Sequence, residues 1–322
     1  MNIKNFNKTA FALIIVLLLS SCQNKTDQEV KINLTVSPEL WEANESGTLE
    51  LKFKVANGKL KPGDSLTIVF TGSWILHAIH SDGDKPNQSY KQLTKELYDF
   101  FNILPAGTEK WDLKILPIGF DGTEHRLQRT VCLKLVEGKL HEGSTFSLAY
   151  GSDQDPIKAS FLAEEIAFPL NIFRNGSLIF NNPKASTVTT VSGKYKELIA
   201  TIPSQAQIND TLLLHVTARD SYGNAAYLPR ELNFSSTDSN FQFPTMETDL
   251  SKQKFVEIPA RFGSEGFQFV SVTDENGIAI RTNPIKVSKD KPEFLLLWGD
   301  IHSHSEESRD GIGSGMYEFA RD

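Results

Sequence analysis

The sequence predicts a mostly-β fold: two β-sandwich modules in tandem, followed by the first strand, loop and helix of an α/β domain. Three observations carry this. Short runs of alternating apolar and polar residues recur along most of the chain, as half-buried antiparallel strands require. Those runs end at clusters of Gly, Pro, Asn and Asp, the punctuation of a sandwich. Near residue 293 the alternation gives way to a continuous apolar run, the pattern of a strand buried on both faces. The length of 322 residues suits two domains, or two and a fragment, and an apolar content of 39% is enough for packed cores.

Residues 1–21 read as a targeting segment. Lys4 and Lys8 precede an apolar run from Ala10 to Leu19 that stops at small residues. The run is too short to span a bilayer. Leu19-Ser20-Ser21-Cys22 resembles the lipobox of bacterial lipoproteins. The resemblance implies removal of residues 1–21 as a signal peptide and lipidation of Cys22 as the first residue of the mature chain. Several acyl chains together give stable anchoring where one gives only marginal binding. Residues 22–29 then form a polar tether, and the absence of Asp directly after Cys22 leans towards an outer-membrane location in the cell envelope. Cys22 and Cys132 are the only cysteines, so lipid on Cys22 leaves no disulfide within one chain. Cys132 reads as a buried strand residue.

Loss of Lys4 and Lys8 with the leader leaves 31 Lys and Arg against 40 acids, a net charge of −9. This lacks the basic footprint of a nucleic-acid binder. No nucleotide-binding glycine loop is present either.

The first sandwich is expected over residues 30–163. Its strands are read at Lys31–Val36, Thr48–Val55, Ser65–Phe70, Val131–Val136 and Thr145–Tyr150, with a turn at Lys61-Pro62-Gly63-Asp64. Tyr90–Phe101 is the one helix-like insertion, with Leu93, Leu97 and Phe100 or Phe101 at helical spacing. The second sandwich is expected over residues 167–288. Its strands are read at Glu197–Ile202, Thr211–Ala218, Lys254–Ile258, Gly266–Thr273 and Ile278–Val287. Two of its turns, Arg219-Asp220-Ser221-Tyr222-Gly223-Asn224 and Thr273-Asp274-Glu275-Asn276-Gly277, follow alternating runs as tight hairpins needing positive φ would. Such turns are similar to those of bacterial immunoglobulin-like modules.

Over residues 293–322 the chain reads as strand (Phe294–Trp298), loop and helix, the helix capped near Ser314 or Gly315 with Met316, Phe319 and Ala320 on one face. His302 and His304 lie two apart at the carboxyl end of the strand and project to the same side, where they can bind a divalent metal. Asp310 can add a carboxylate, and Asp300 is placed to orient a ligand from behind. An isolated His-x-His also suits two ordinary loop histidines.

Trp298-Gly299-Asp300-Ile301-His302-Ser303-His304, the downstream Asp310-Gly311 and Tyr317-Glu318-Phe319-Ala320-Arg321-Asp322 resemble the DUF3604 family, a branch of the polymerase and histidinol phosphatase (PHP) superfamily. The resemblance covers about 30 residues. It implies β-rich modules ahead of a distorted metal-binding α/β barrel, with His302, His304 and Asp310 as ligands and divalent Zn, Mn or Fe as cofactor. Asp310 stands one residue further from His304 than in the commonest pattern of the superfamily. The implied parent activity is metal-dependent hydrolysis of phosphoesterase type on an unknown small-molecule or glycan-derived substrate. The family would continue beyond Asp322 for a whole barrel, so these residues supply only the start of the site. The alternative is a non-catalytic envelope lipoprotein whose sandwiches bind a glycan or a protein partner.

Other candidates are weaker. His77 and His80, followed by Asp82 and Asp84, read as a strand and an acidic loop with metal binding as the sharper alternative. His125, His141 and His215 read as structural or surface residues. Trp41, Trp74, Trp111 and Trp298 suit either carbohydrate stacking or core packing.

Overall fold

The computed structural model describes residues 29–70, 74, 97–105, 107–116, 128–244, 249–294 and 296. Up to residue 158 the strands are β1 (Lys31–Ser37), β2 (Leu40–Glu42), β3 (Ser46–Gly47), β4 (Leu49–Asn57), β5 (Lys59–Leu60) and β6 (Ser65–Phe70), then β7 (Phe101–Leu104), β8 (Lys110–Leu116), β9 (Arg129–Glu137), β10 (Leu140–His141), β11 (Thr145–Tyr150) and β12 (Ile157–Lys158). A long hairpin follows, β13 (Glu165–Arg174) and β14 (Ser177–Val191). The remaining strands are β15 (Glu197–Thr201), β16 (Gln205–Gln207), β17 (Leu212–Arg219), β18 (Ala225–Ala226) and β19 (Leu232–Ser236), then β20 (Phe255–Ala260), β21 (Gly266–Gln268), β22 (Val270–Asp274), β23 (Ala279–Arg281) and β24 (Ile285–Ser288).

The first sandwich packs a four-stranded sheet, β1-β4-β11-β7, on a six-stranded sheet, β2-β14-β13-β6-β9-β8. Alternation explains the packing. In β1, Ile32, Leu34 and Val36 point inward while Lys31, Asn33 and Thr35 face out, and β4 repeats this with Leu49, Leu51, Phe53 and Val55. Aromatic rings fill the centre. Phe53 stacks on Phe146 at 4.6 Å, Phe101 stacks on Tyr150 at 4.5 Å, and Phe70 meets Phe101, Tyr150 and Phe168 edge-on at 5.3 to 5.5 Å. Burial drives the Tyr150 hydroxyl well above the ordinary phenol range, and it donates to the backbone oxygen of Trp74.

Three expectations are corrected here. The first sandwich runs to Val191, not to 163, because β13 pairs with β6 (Leu170↔Ile68), β14 pairs in parallel with β2, and Ile166, Phe168, Leu170 and Ile172 join the first core. The hairpin escapes a sequence reading because Pro169 interrupts β13 at a register shift and β14 is mostly polar. Of the helix-like stretch, Leu97 is helical and Tyr98–Phe100 form a 3-10 turn, but Phe101 belongs to β7, where it stacks on Tyr150. Residues 90–96 lie outside the described residues. Cys132 is a strand residue but only half-buried, because β9 turns Val131, Leu133 and Leu135 inward and leaves position 132 on the outer face. Partial burial still pushes its thiol pKa up.

The second sandwich has its own core of Leu198, Leu214, Val216, Leu250, Ile258, Phe262, Val270, Val272, Ile285 and Val287. One layer is β15-β17-β18, with β20 also on β17. The others are β16-β24-β21 and β19-β22-β23. Its strands include the expected runs, with Gly266–Thr273 and Ile278–Val287 each split into two, and add β16, β18 and β19, which no expected run covers. In the expected strand at 294–298, Phe294 and Leu296 stand in no strand and are 77% and 49% exposed. The rest of that run, and the loop and helix read after it, lie outside the described residues.

Candidate functional site: the junction between the sandwiches

A network of buried polar residues joins the two sandwiches. Residues 192–196 link β14 to β15, and both singled-out hairpin turns of the second sandwich close on this linker. Each turn opens with an aspartate. Asp220 and Asp274 are 4% and 3% exposed. Asp220 N donates to Asn224 O at 3.0 Å and Gly223 N to Asp220 O at 3.2 Å. The second turn repeats both bonds between Asp274, Ile278 and Gly277 at the same lengths. Gly223 and Gly277 carry φ of 87° and 84°, a conformation that glycine adopts without a Cβ clash. In each turn one carboxylate oxygen accepts from the backbone N–H groups two and four residues on. These lengths are 2.8 and 2.9 Å to Asp220 and 2.9 and 2.7 Å to Asp274.

The second oxygen of each aspartate holds the linker. Gly193 N donates to Asp220 Oδ2 at 3.0 Å, and the Tyr195 hydroxyl donates to Asp274 Oδ2 at 2.6 Å. Burial alone would raise both carboxyl pKa values. The hydrogen bonds they accept outweigh it and hold both below the usual aspartate range. Burial and the bond to Asp274 push the Tyr195 phenol up to about 12.

Among the described residues only the first turn reaches the other sandwich. Asn224, 6% exposed, donates through Nδ2 to Phe161 O at 2.7 Å and to Asp220 Oδ2 at 2.9 Å, and its Oδ1 accepts from Ala163 N at 2.9 Å. Tyr222 adds a bond from Asn44 Nδ2 to its hydroxyl. The receiving loop is itself fixed: Ser160 Oγ accepts from Leu162 N and donates to Glu164, and Ser160 O accepts from Asn44 N. The arrangement is a polar network that spans the two sandwiches. Its chemistry is to satisfy buried donors and acceptors and so fix the two sandwiches against each other.

A second feature is the outer face of β15, β17 and β20. Leu213, Phe255 and Pro259 are exposed there, beside a His215–Glu257 pair at 3.2 Å. Lys254 lies over the exposed Tyr227 ring at 5.5 Å.

The sequence-predicted metal residues His302, His304 and Asp310, the orienting Asp300 and the lipidation residue Cys22 all lie outside the described residues, as do His77, His80, Asp82, Asp84, His125 and Trp298. Among the described residues no three His, Cys, Asp or Glu side chains group to hold a metal, and no helix is long and apolar enough to cross a membrane. His141 and His215 are surface strand residues, as expected. The tryptophans resolve towards packing. Trp41 and Trp74 are buried in the first core, edge-on at 5.5 Å, and Trp111 stacks on Phe146 at 4.5 Å. The Asp turns were legible as turns, but their grip on the linker and the bridging role of Asn224 were not, because the partners lie 27 to 79 residues away.

No family model matches the chain, and no characterised protein sequence matches it. Solved structures with a related trace include InvD of Yersinia pseudotuberculosis (12% identity, TM-score 0.35, covering 80% of this chain and 58% of that one). The adhesin InvE of the same organism gives 10% identity and a TM-score of 0.24, over 82% and 61%. The D00-D0 domain of intimin gives 11% identity and a TM-score of 0.31, over 80% of this chain and 100% of that one. This chain thus spans less than two thirds of the length of InvD or InvE.

Proposed function

We propose that the two sandwiches form a rigid, non-catalytic arm of a cell-envelope lipoprotein. The arm is tethered by lipid on Cys22 and holds its far end at a fixed orientation for binding. The observation that supports this most is Asn224, whose buried amide bonds to both sandwiches at once, so that bending at the linker would strand polar groups in the interior. The partner is a glycan or an envelope protein. The outer face of β15, β17 and β20, with Leu213, Phe255 and Pro259 exposed, is the surface offered to it. Small-angle scattering on the full chain tests the arm. One narrow set of dimensions, widened by Asn224→Ile, supports it, and a broad set in the unaltered protein contradicts it.

A second reading is supported by Asp300-Ile301-His302-Ser303-His304 alone: the sandwiches position a metal-dependent hydrolase domain that begins at residue 293. His302, His304 and Asp310 would hold the divalent ion, which would supply an activated water. Metal analysis of the purified chain after incubation with Zn, Mn or Fe tests it. Retained metal that His302→Ala and His304→Ala abolish supports this reading, and no retained metal contradicts it for this chain.

A further inference from the structure

The small sheet β16-β24-β21 leaves a phenylalanine in the open and then brings the chain back to it. Residues opposite each other in paired strands share a face. Gln205 on β16, Lys286 on β24 and Phe267 on β21 therefore form one row across the outer face. Phe267 is 69% exposed, and among the described large apolar residues only Phe294, at 77%, is more so. A single exposed apolar side chain is ordinary. What sets this one apart is the path of the backbone after β24.

That path stays on the sheet. Gln207 Nε2 donates to Lys289 O at 2.7 Å, and Gln205 Oε1 accepts from Leu296 N at 3.1 Å. Glu265, just before β21, pairs with the Lys289 ammonium at 3.7 Å. Ser288 lies opposite Gln207, yet Leu296 is back at Gln205, which lies opposite Lys286. The chain has reversed, and it leaves Leu296 over the outer face of this sheet. Phe267 stands two strands from Gln205, about 10 Å across.

We propose that this outer face is the docking surface for residues 297–322 of the same chain, with Phe267 as its apolar anchor. The segment enters directly at Leu296 and continues with Leu297 and Trp298. It offers Met316, Phe319 and Ala320 at helical spacing. It carries six acids against two arginines, which complements Lys286 at the centre of the row. Tethering makes the encounter intramolecular, so even a modest apolar contact suffices to hold it. This inference is independent of the arm and of any metal.

Limited trypsinolysis of the full chain, followed by mass spectrometry, reads it out at Arg309. A docked segment is cut there only when it opens. Phe267→Asp is expected to speed cleavage at Arg309 about tenfold, the scale of one lost aromatic contact. Phe267→Ala, which adds no charge, is expected to speed it less but in the same direction. Leu178→Asp, at an exposed position of the first sandwich, leaves the rate unchanged. Equal rates at Arg309 in the unaltered chain and both Phe267 variants would overturn the proposal. So would a concentration-dependent dimer that Phe267→Asp dissolves, since the face would then belong to a second copy.

Discussion

The two aspartate turns of the second sandwich share a backbone, a carboxylate and a glycine, yet one ends in Asn224 and the other in Ile278. That single difference separates a turn that grips only the linker from one that crosses to the other module. Asn224 spends its amide on Phe161 O and Ala163 N, whereas Ile278 has nothing to offer across a gap and packs against its own core. The local motif builds the hairpin. The side chain at its end decides whether the hairpin is also a joint.

Four changes would break or sharpen this contrast. The largest effect is expected from Asp220→Ala, which strands the N–H groups of Gly193, Tyr222 and Asn224 together. The loss should be roughly 2–4 kcal/mol, read by chemical denaturation. Asp274→Ala removes the equivalent turn bonds and the partner of Tyr195 and should cost slightly less, about 2–3 kcal/mol, without loosening the junction. Asn224→Ile gives the first turn the closing residue of the second. It should cost about 1–3 kcal/mol for the buried Phe161 and Ala163 groups it leaves bare, and it alone should free one sandwich from the other. Tyr195→Phe removes one hydrogen bond and should cost about 1 kcal/mol.

The same groups contribute to the response to pH. Asp220 and Asp274 have folded pKa values below those of the unfolded chain, so their stabilisation is fully present above the ordinary aspartate value of about 3.9. It is lost as pH falls further, through the folded values. Tyr195 works in the opposite direction. Its pKa is raised to about 12, so its contribution is whole below the ordinary phenol value of about 10 and is lost as pH rises towards 12. Denaturation midpoints should therefore drop at both extremes, and Tyr195→Phe should lessen the alkaline drop and, by removing a donor to Asp274, soften the acid one as well.

Much of the fold was legible because period-two alternation is a local signal: Ser65–Phe70 and Thr145–Tyr150 emerge as read, and the positive φ of Gly223 and Gly277 follows from the turn chemistry. The hairpin of β13 and β14 was assigned to the wrong module, because Pro169 and the polar run of β14 disguise strands whose only marker is the distant partner β6 or β2. The junction was invisible for the same reason. Asn224 looks like any hairpin residue until the loop at Phe161–Ala163 is placed against it.

Double electron–electron resonance tests the joint most directly, with spin labels at Lys52→Cys on the first sandwich and Asn233→Cys on the second, in a Cys22→Ser, Cys132→Ser background. Both sites are exposed strand positions pointing away from the cores. One narrow distance distribution that broadens in Asn224→Ile and stays narrow in Asp274→Ala is the result expected of a rigid arm locked by Asn224. A distribution already broad in the parent, or one that Asn224→Ile leaves unchanged, would contradict it.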